Sequence, residues 1–165
     1  MTKHYVKIGA AVAALLGASD VVAVPVTPLT TECIVEVSNK YSIHPDILFA
    51  VLMVEGGTVG KNSKSNDNGT YDIGPFQINS IHLPSLKERG ISETQLRNNG
   101  CVNAHVAGWH LRRVIMKASV LETITDSKSY LRAIARYHSA TPAYNQRYAN
   151  LLEGAFKRLY ASNAP

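Results

Sequence analysis

Three observations in the amino-acid sequence predict a mainly α-helical fold. Apolar residues recur at spacings of three and four, as in Ile34, Val37 and Tyr41. Helix boundaries carry the expected chemistry, with Pro45 and Asp46 opening one run and Gly56 and Gly57 closing it. Strand-like alternation is confined to Tyr71, Ile73 and Phe76, a stretch that Pro75 interrupts.

The elements follow in order. Lys3 and Lys7 precede the apolar run "IGAAVAALLGA", and small residues follow to Ala23. Residues 1–23 thus have the layout of a secretory signal peptide, which implies export. An uncleaved anchor is the alternative, although the run is short for a bilayer. Residues 24–31, "VPVTPLTT", read as a short linker, and the domain runs from Glu32 to residue 165. The second helix, "PDILFAVLMVE", is apolar on every side from Ile47 to Val54, as in the centre of a bundle. Residues 57–70 form a long polar loop, and "TYDIGPFQINSIH" reads as an irregular segment or small β-hairpin beside a cleft. "SETQ" at 92–95 is a capping box for a short helix that Gly100 ends. Val102, Val106, Trp109 and Val114 mark a buried helix to about Met116, and helices over 128–138 and from Thr141 onward complete the chain.

A chain of 165 residues fits one domain with a proper core, and 45% hydrophobic with 18% charged residues argues against disorder. Without Lys3, Lys7 and Asp20 the remainder carries 15 basic and 11 acidic side chains, a net charge of about +4. That suits a polyanionic partner without choosing one. In an exported chain the pair Cys33 and Cys101 favours a disulfide over two buried thiols or a metal site, since neither has a CxxC or CxxH neighbour.

Glu55 is the first candidate catalytic residue. It closes an apolar helix that offers no polar face, at the negative pole where another negative charge is disfavoured. Both influences raise a carboxyl pKa and suit it to general acid work, although a solvated helix end is the plain alternative. In "GPFQINS", Gln77 and Asn79 stand two apart, so an extended backbone points both amides one way and Ile78 toward the core. Such a pair lines a sugar site or simply caps a turn. Tyr137 in "ARYHS" ends a helix before a turn, the usual place for a core ring with a surface hydroxyl. His105 and His110 are five apart, off the spacing of a zinc pair, and read as structural or surface residues. Asp67 and Asp72 sit among turn formers as backbone caps, or supply a second carboxylate. Arg112 and Arg113 read as a solvated pair, and no phosphate loop, Gly-x-Ser-x-Gly or basic–aromatic stripe is present. No metal or organic cofactor is implied.

Taken together, "VLMVEGG", "GPFQIN" and "ARYHS" resemble, in that order, the motifs of the soluble lytic transglycosylase (SLT-type) domain. The likeness runs from about Glu32 to Tyr148 and is nearest to small members that accompany conjugation, type IV pilus and secretion systems. It implies a lysozyme-like helical domain of the goose-type kind, with the irregular segment flanking a glycan groove. By the same likeness Glu55 is the sole catalytic acid/base, and Gln77 and Asn79 line the groove. Tyr137 is the tyrosine that holds substrate or positions the acid, and Cys33 with Cys101 resembles a disulfide of secretion-associated members. The substrate would be peptidoglycan glycan strands, cleaved at the β-1,4 MurNAc–GlcNAc bond to leave 1,6-anhydroMurNAc, with secretion, conjugation or pilus components as partners. Three positions depart from the pattern: Gly56 for serine, Pro75–Phe76 for Leu-Met, and His138 for asparagine. The rival readings are a lysozyme-type hydrolase using Asp67 or Asp72, and a non-catalytic module that binds glycan or a secretion component. A nucleic-acid partner explains only the charge.

Overall fold

The computed structural model describes residues 24–161, and the expected signal peptide, 1–23, lies outside the described residues. Helix α1 (Thr31–Tyr41) opens where the Thr30 hydroxyl accepts from the Cys33 amide at 3.2 Å, and it ends at Ser42 in the left-handed region. Helix α2 (Pro45–Glu55) starts with Pro45 in its first turn and buries Ile47, Leu48, Ala50 and Val51. Gly56, at φ 61°, stops it, so Glu55 is its last residue.

The cleft-side segment is a two-stranded antiparallel hairpin, β1 (Asp72–Ile73) and β2 (Ile78–Asn79), with Asp72 opposite Asn79 and Ile73 opposite Ile78. A 3₁₀ turn over Ser80–His82 leads into the short helix α3 (Leu83–Lys87). Helix α4 (Glu93–Asn98) carries the expected capping box of Ser92 and Gln95. Helix α5 (Gly100–Ile115), short α6 (Ala118–Leu121) and α7 (Ser127–Ile134) follow; a 3₁₀ turn over Ala135–Tyr137 then precedes α8 (Pro142–Ala161). The fold is therefore mainly α with one small sheet, as the sequence predicts. None of the helices among the described residues is long and apolar enough to cross a membrane.

Helix α2 packs against α8 and α1, and α1 against α5, around a core containing Ile34, Leu48, Phe76, Leu111 and Leu152. The Cys33–Cys101 disulfide ties α1 to α5 across 68 residues of sequence. One buried amide joins the hairpin to this frame. Asn103 on α5 is fully buried; its Oδ1 accepts from the Phe76 amide at 2.9 Å, while its Nδ2 donates to the carbonyls of Ile73 at 2.9 Å and Leu96 at 3.0 Å. Three backbone groups that would otherwise be orphaned are satisfied by one side chain.

Several expectations need correction. Gly100 does not end α4; Asn99 breaks the chain and caps α5, where Gly100 lies so close to Leu29 that a Cβ would fall 2.5 Å from its amide. Within the expected short linker, 24–31, the backbone is held at two points. Thr27 donates to Asn98 at 2.8 Å and accepts from Gly100 at 2.9 Å, and the Val24 carbonyl receives the Asn98 side chain, so backbone pairing docks the segment. On α5 Val106 is buried as expected, together with Ala104, Ala107 and Leu111, whereas Val102, Trp109 and Val114 are half-buried. The buried stripe runs mostly through small residues, such as Ala104, Ala107 and Gly108, rather than through the largest apolar ones.

Candidate active site

Beneath the hairpin lies an open groove of about 590 Å³ that reaches from Glu55 and Asp72 to Trp109 and His110. Glu55 is half-buried at its wall. The Tyr148 hydroxyl, from α8, donates to Glu55 Oε1 at 2.6 Å. Desolvation by burial pushes the Glu55 carboxyl up to about 7, the negative charge of Asp72 adds to the rise, and the Tyr148 hydrogen bond opposes both. Burial wins, so the neutral acid and the carboxylate are both accessible near neutrality. Tyr148 is itself held protonated, raised above its ordinary range by burial and by the charge of Glu55, and so remains a donor.

The turn above Glu55 is fixed from both sides. The Gly57 amide donates to the Pro75 carbonyl at 3.2 Å, and a Cβ on Gly57 would fall 2.1 Å from the Gly74 carbonyl, so only glycine lets α2 end against the hairpin. The Phe76 ring is fully buried, its amide held by Asn103 and its carbonyl by the Tyr137 hydroxyl at 2.7 Å.

All four residues singled out for the site line the groove, but not as expected. Gln77 is not extended; at φ 48° it closes the turn, with Nε2 donating to the Gly74 carbonyl at 2.8 Å. The two-residue alternation therefore fails at Gln77, while Ile78 does face the core. Asn79 Nδ2 donates to Asp72 Oδ1 at 2.8 Å and to Thr70 Oγ1 at 3.2 Å, and Asn79 Oδ1 caps the 3₁₀ turn at the Ile81 amide. Asp72 is thus a strand residue paired with Asn79 in the groove rather than a backbone cap, whereas Asp67 is not part of the lining. Tyr137 is 8% exposed with its hydroxyl inside, not at the surface, because the Phe76 carbonyl needs it. The hydrogen bond to Glu55 comes from Tyr148, eleven positions later, which the sequence reading missed. A signal existed: Tyr148, Leu152 and Ala155 form the buried face of α8, and a buried tyrosine needs a partner for its hydroxyl.

Imidazoles also line the groove. His138 stacks on Tyr148 with centroids 4.9 Å apart and planes 3° from parallel. His82 and His110 pack at 5.3 Å, both depressed chiefly by burial and so kept neutral, and His110 Nε2 lies 3.2 Å from the Tyr137 carbonyl. His110 is therefore a groove residue as well as a structural one. His105, by contrast, faces Glu36 at 3.4 Å away from the groove. Glu36, Cys101 and His105 form the one grouping of potential metal ligands found among the described residues, and the disulfide occupies its sulfur. Arg112 and Arg113 are not simply solvated: Arg112 donates to the Tyr41 carbonyl at 3.1 Å, and Arg113 lies over Trp109 at 4.7 Å with Arg89 at 5.1 Å.

A half-buried carboxylic acid in an open groove beneath a pinned hairpin is a constellation that can be compared with known families. The model of the transglycosylase SLT domain matches residues 32–151. The chain belongs to the transglycosylase SLT domain family. It is a lytic transglycosylase acting on peptidoglycan. Within this SLT domain the match covers α1 through the first half of α8, and therefore Glu55, the hairpin and Tyr148. Relatives include the invasion protein IagB of Salmonella typhimurium (strain SL1344), 27% identical over 138 residues, covering 81% of this chain and 80% of IagB. Protein IpgF of Shigella flexneri is 32% identical over 85 residues, 52% of this chain and 56% of IpgF. A peptidoglycan-binding-like protein of Escherichia coli O157:H7 is 34% identical over 84 residues, 47% of this chain and 50% of that protein.

Proposed function

We propose that Glu55 is the sole acid and base of a reaction that cleaves the β-1,4 bond between N-acetylmuramic acid and N-acetylglucosamine and leaves a 1,6-anhydro end. The observation that carries this reading is a groove carboxyl poised at about 7, close to the working pH of a group that must both give and take a proton. Neutral Glu55 protonates the departing glycosidic oxygen as the bond to the muramic C1 breaks. The substrate acetamido group supports the positive charge at that carbon. Ionised Glu55 then takes the C6 hydroxyl proton as O6 closes on C1, which restores the acid and consumes no water. Attack within one sugar gains from proximity. Gln77 keeps its amide oxygen for the substrate while its nitrogen holds the turn. Asn79 acts through Asp72 and the groove wall, and Tyr137 supports the turn over the cleaved bond.

One observation favours a second reading. Asp72 lines the same groove and its charge is felt at Glu55, so it is placed to direct water in a lysozyme-type hydrolysis. Mass spectrometry of muropeptides released from sacculi separates the two. Anhydro-muramyl ends support the transglycosylase; reducing ends, one water heavier, replace it with the hydrolase.

In the cell we infer a periplasmic enzyme, exported by residues 1–23, that opens the wall locally for an envelope-spanning secretion, conjugation or pilus machine. The similarity to a protein named for invasion along four-fifths of both chains supports this role. Co-purification of the mature protein with envelope complexes from its own cells tests it, and recovery with wall fragments alone overturns it.

A further inference from the structure

The groove does not stop at the reacting bond. Past the turn at Ser139–Ala140 it shares Arg136 and Ala140 with a second hollow of about 370 Å³, which in turn shares Ser129 and Arg132 with a third. Lys128, Arg132 and Arg136 stand four residues apart along α7 and the turn after it, so cations follow this lane from the catalytic groove outward. Neither guanidinium has a hydrogen bond, ion pair or ring contact with any described residue. Asp126 and Glu153 line the outer hollow as well, where the charge of Lys128 acts on both. Asp126 accepts from the Ser129 amide at 2.7 Å and Glu153 pairs with Lys157 at 2.8 Å, so the cations left over are Arg132 and Arg136. Two unengaged guanidinium forks in a concave lane are complementary to carboxylates.

We propose that this lane is a subsite for the acidic peptide stem of peptidoglycan. It rests on the reading that a glycan strand lies in the groove beside Glu55. Every muramic acid seated there carries on its lactyl group a peptide with free carboxylates, and that peptide must leave the groove. The lane through Arg136 and Arg132 is open, contiguous with the groove and opposite in charge. A strand stripped of its stems leaves both arginines facing water.

The test compares kcat/KM on glycan strands with intact stems and on the same strands stripped by an N-acetylmuramoyl-L-alanine amidase. The wild type should prefer stem-bearing strands by about fivefold, the scale of two partly exposed ion pairs. Arg132→Ala and Arg136→Ala should each bring that ratio toward one, Arg132→Glu should invert it, and Lys87→Ala, outside the lining of all three hollows, should keep it. A wild-type ratio near one, or an unchanged ratio in the arginine variants, overturns the subsite. Product masses from the same reactions report separately on the anhydro chemistry. Should turnover be too slow to measure, the tripeptide L-Ala-γ-D-Glu-meso-diaminopimelate is titrated into ¹⁵N-labelled protein. Amide shifts confined to residues 128–140 and lost in Arg132→Ala uphold the subsite, and no shifts at millimolar peptide overturn it.

Discussion

Tyr148 donates to Glu55 across 93 residues of sequence, at 2.6 Å, and the two side chains set each other's protonation. The bond favours the ionised carboxylate, so it restrains a pKa that burial has already raised. Tyr148→Phe removes the restraint while keeping the ring. The Glu55 pKa should then move above about 7, and the acid should also lose its fixed orientation. We expect kcat to fall by about tenfold or more, with the limb that reports Glu55 displaced to higher pH. A pH–rate profile on purified sacculi checks this; a profile that moves to lower pH contradicts the assignment.

The same carboxyl links activity to stability. An acid whose folded pKa is raised binds its proton more tightly in the folded state than in the unfolded one. Between the ordinary carboxylate range and about 7, the folded form holds the extra proton, so stability falls as pH rises through that window. Glu55→Gln removes the penalty. The variant should be inactive on sacculi yet more stable than the wild type at pH 8, by about 2 kcal/mol once partial exposure is allowed for, and no more stable at pH 4. Urea melts at the two pH values give the comparison.

Much of this site was legible in the sequence, for reasons that are local. An all-apolar helix with one terminal carboxylate narrows the choice to a raised acid or a solvated helix end, and "SETQ" declares its cap within four residues. What escaped the reading depends on contacts across the chain. Gln77 is turned by the hairpin geometry that Asn103 and Tyr137 impose from 26 and 60 positions away, so its strand-like spacing misled. Residues 24–30 look like a linker because their prolines and threonines carry no periodicity, yet Asn98 and Gly100 hold their backbone. Arg113 reads as solvated until Trp109 is found beneath it. Local chemistry shows in the sequence, whereas a partner chosen by tertiary packing does not.

Asn103 offers a test of how the hairpin is held. Removing its side chain leaves the Phe76 amide and the Ile73 and Leu96 carbonyls buried without partners. Each such group costs about 1–3 kcal/mol, so Asn103→Ala should destabilise the domain by about 3 kcal/mol or more. Asn103→Asp keeps the size but loses the two donated bonds, and should rank with the alanine variant rather than the wild type. Thermal melts at neutral pH measure both, and a loss below about 1 kcal/mol would mean that water replaces the amide.

His138 lies flat on Tyr148, and Tyr148 holds Glu55, so the imidazole is placed to position the phenol, one step removed from the chemistry. It stands where the resembled family commonly has asparagine, a side chain that cannot cover a phenol ring. The stack is worth about 0.5–1.5 kcal/mol in fixing the ring. If its purpose is to aim the Tyr148 hydroxyl, a flat apolar ring should do as well as the imidazole. His138→Phe should retain near-wild-type kcat, whereas His138→Ala should lose about three- to tenfold in kcat, with the Glu55 limb of the pH profile displaced upward as in Tyr148→Phe but less far. A direct substrate contact predicts something else: both variants would raise KM alike and leave the pH profile in place. Steady-state kinetics of the two variants across pH therefore decide whether His138 works through Tyr148 or on the glycan itself.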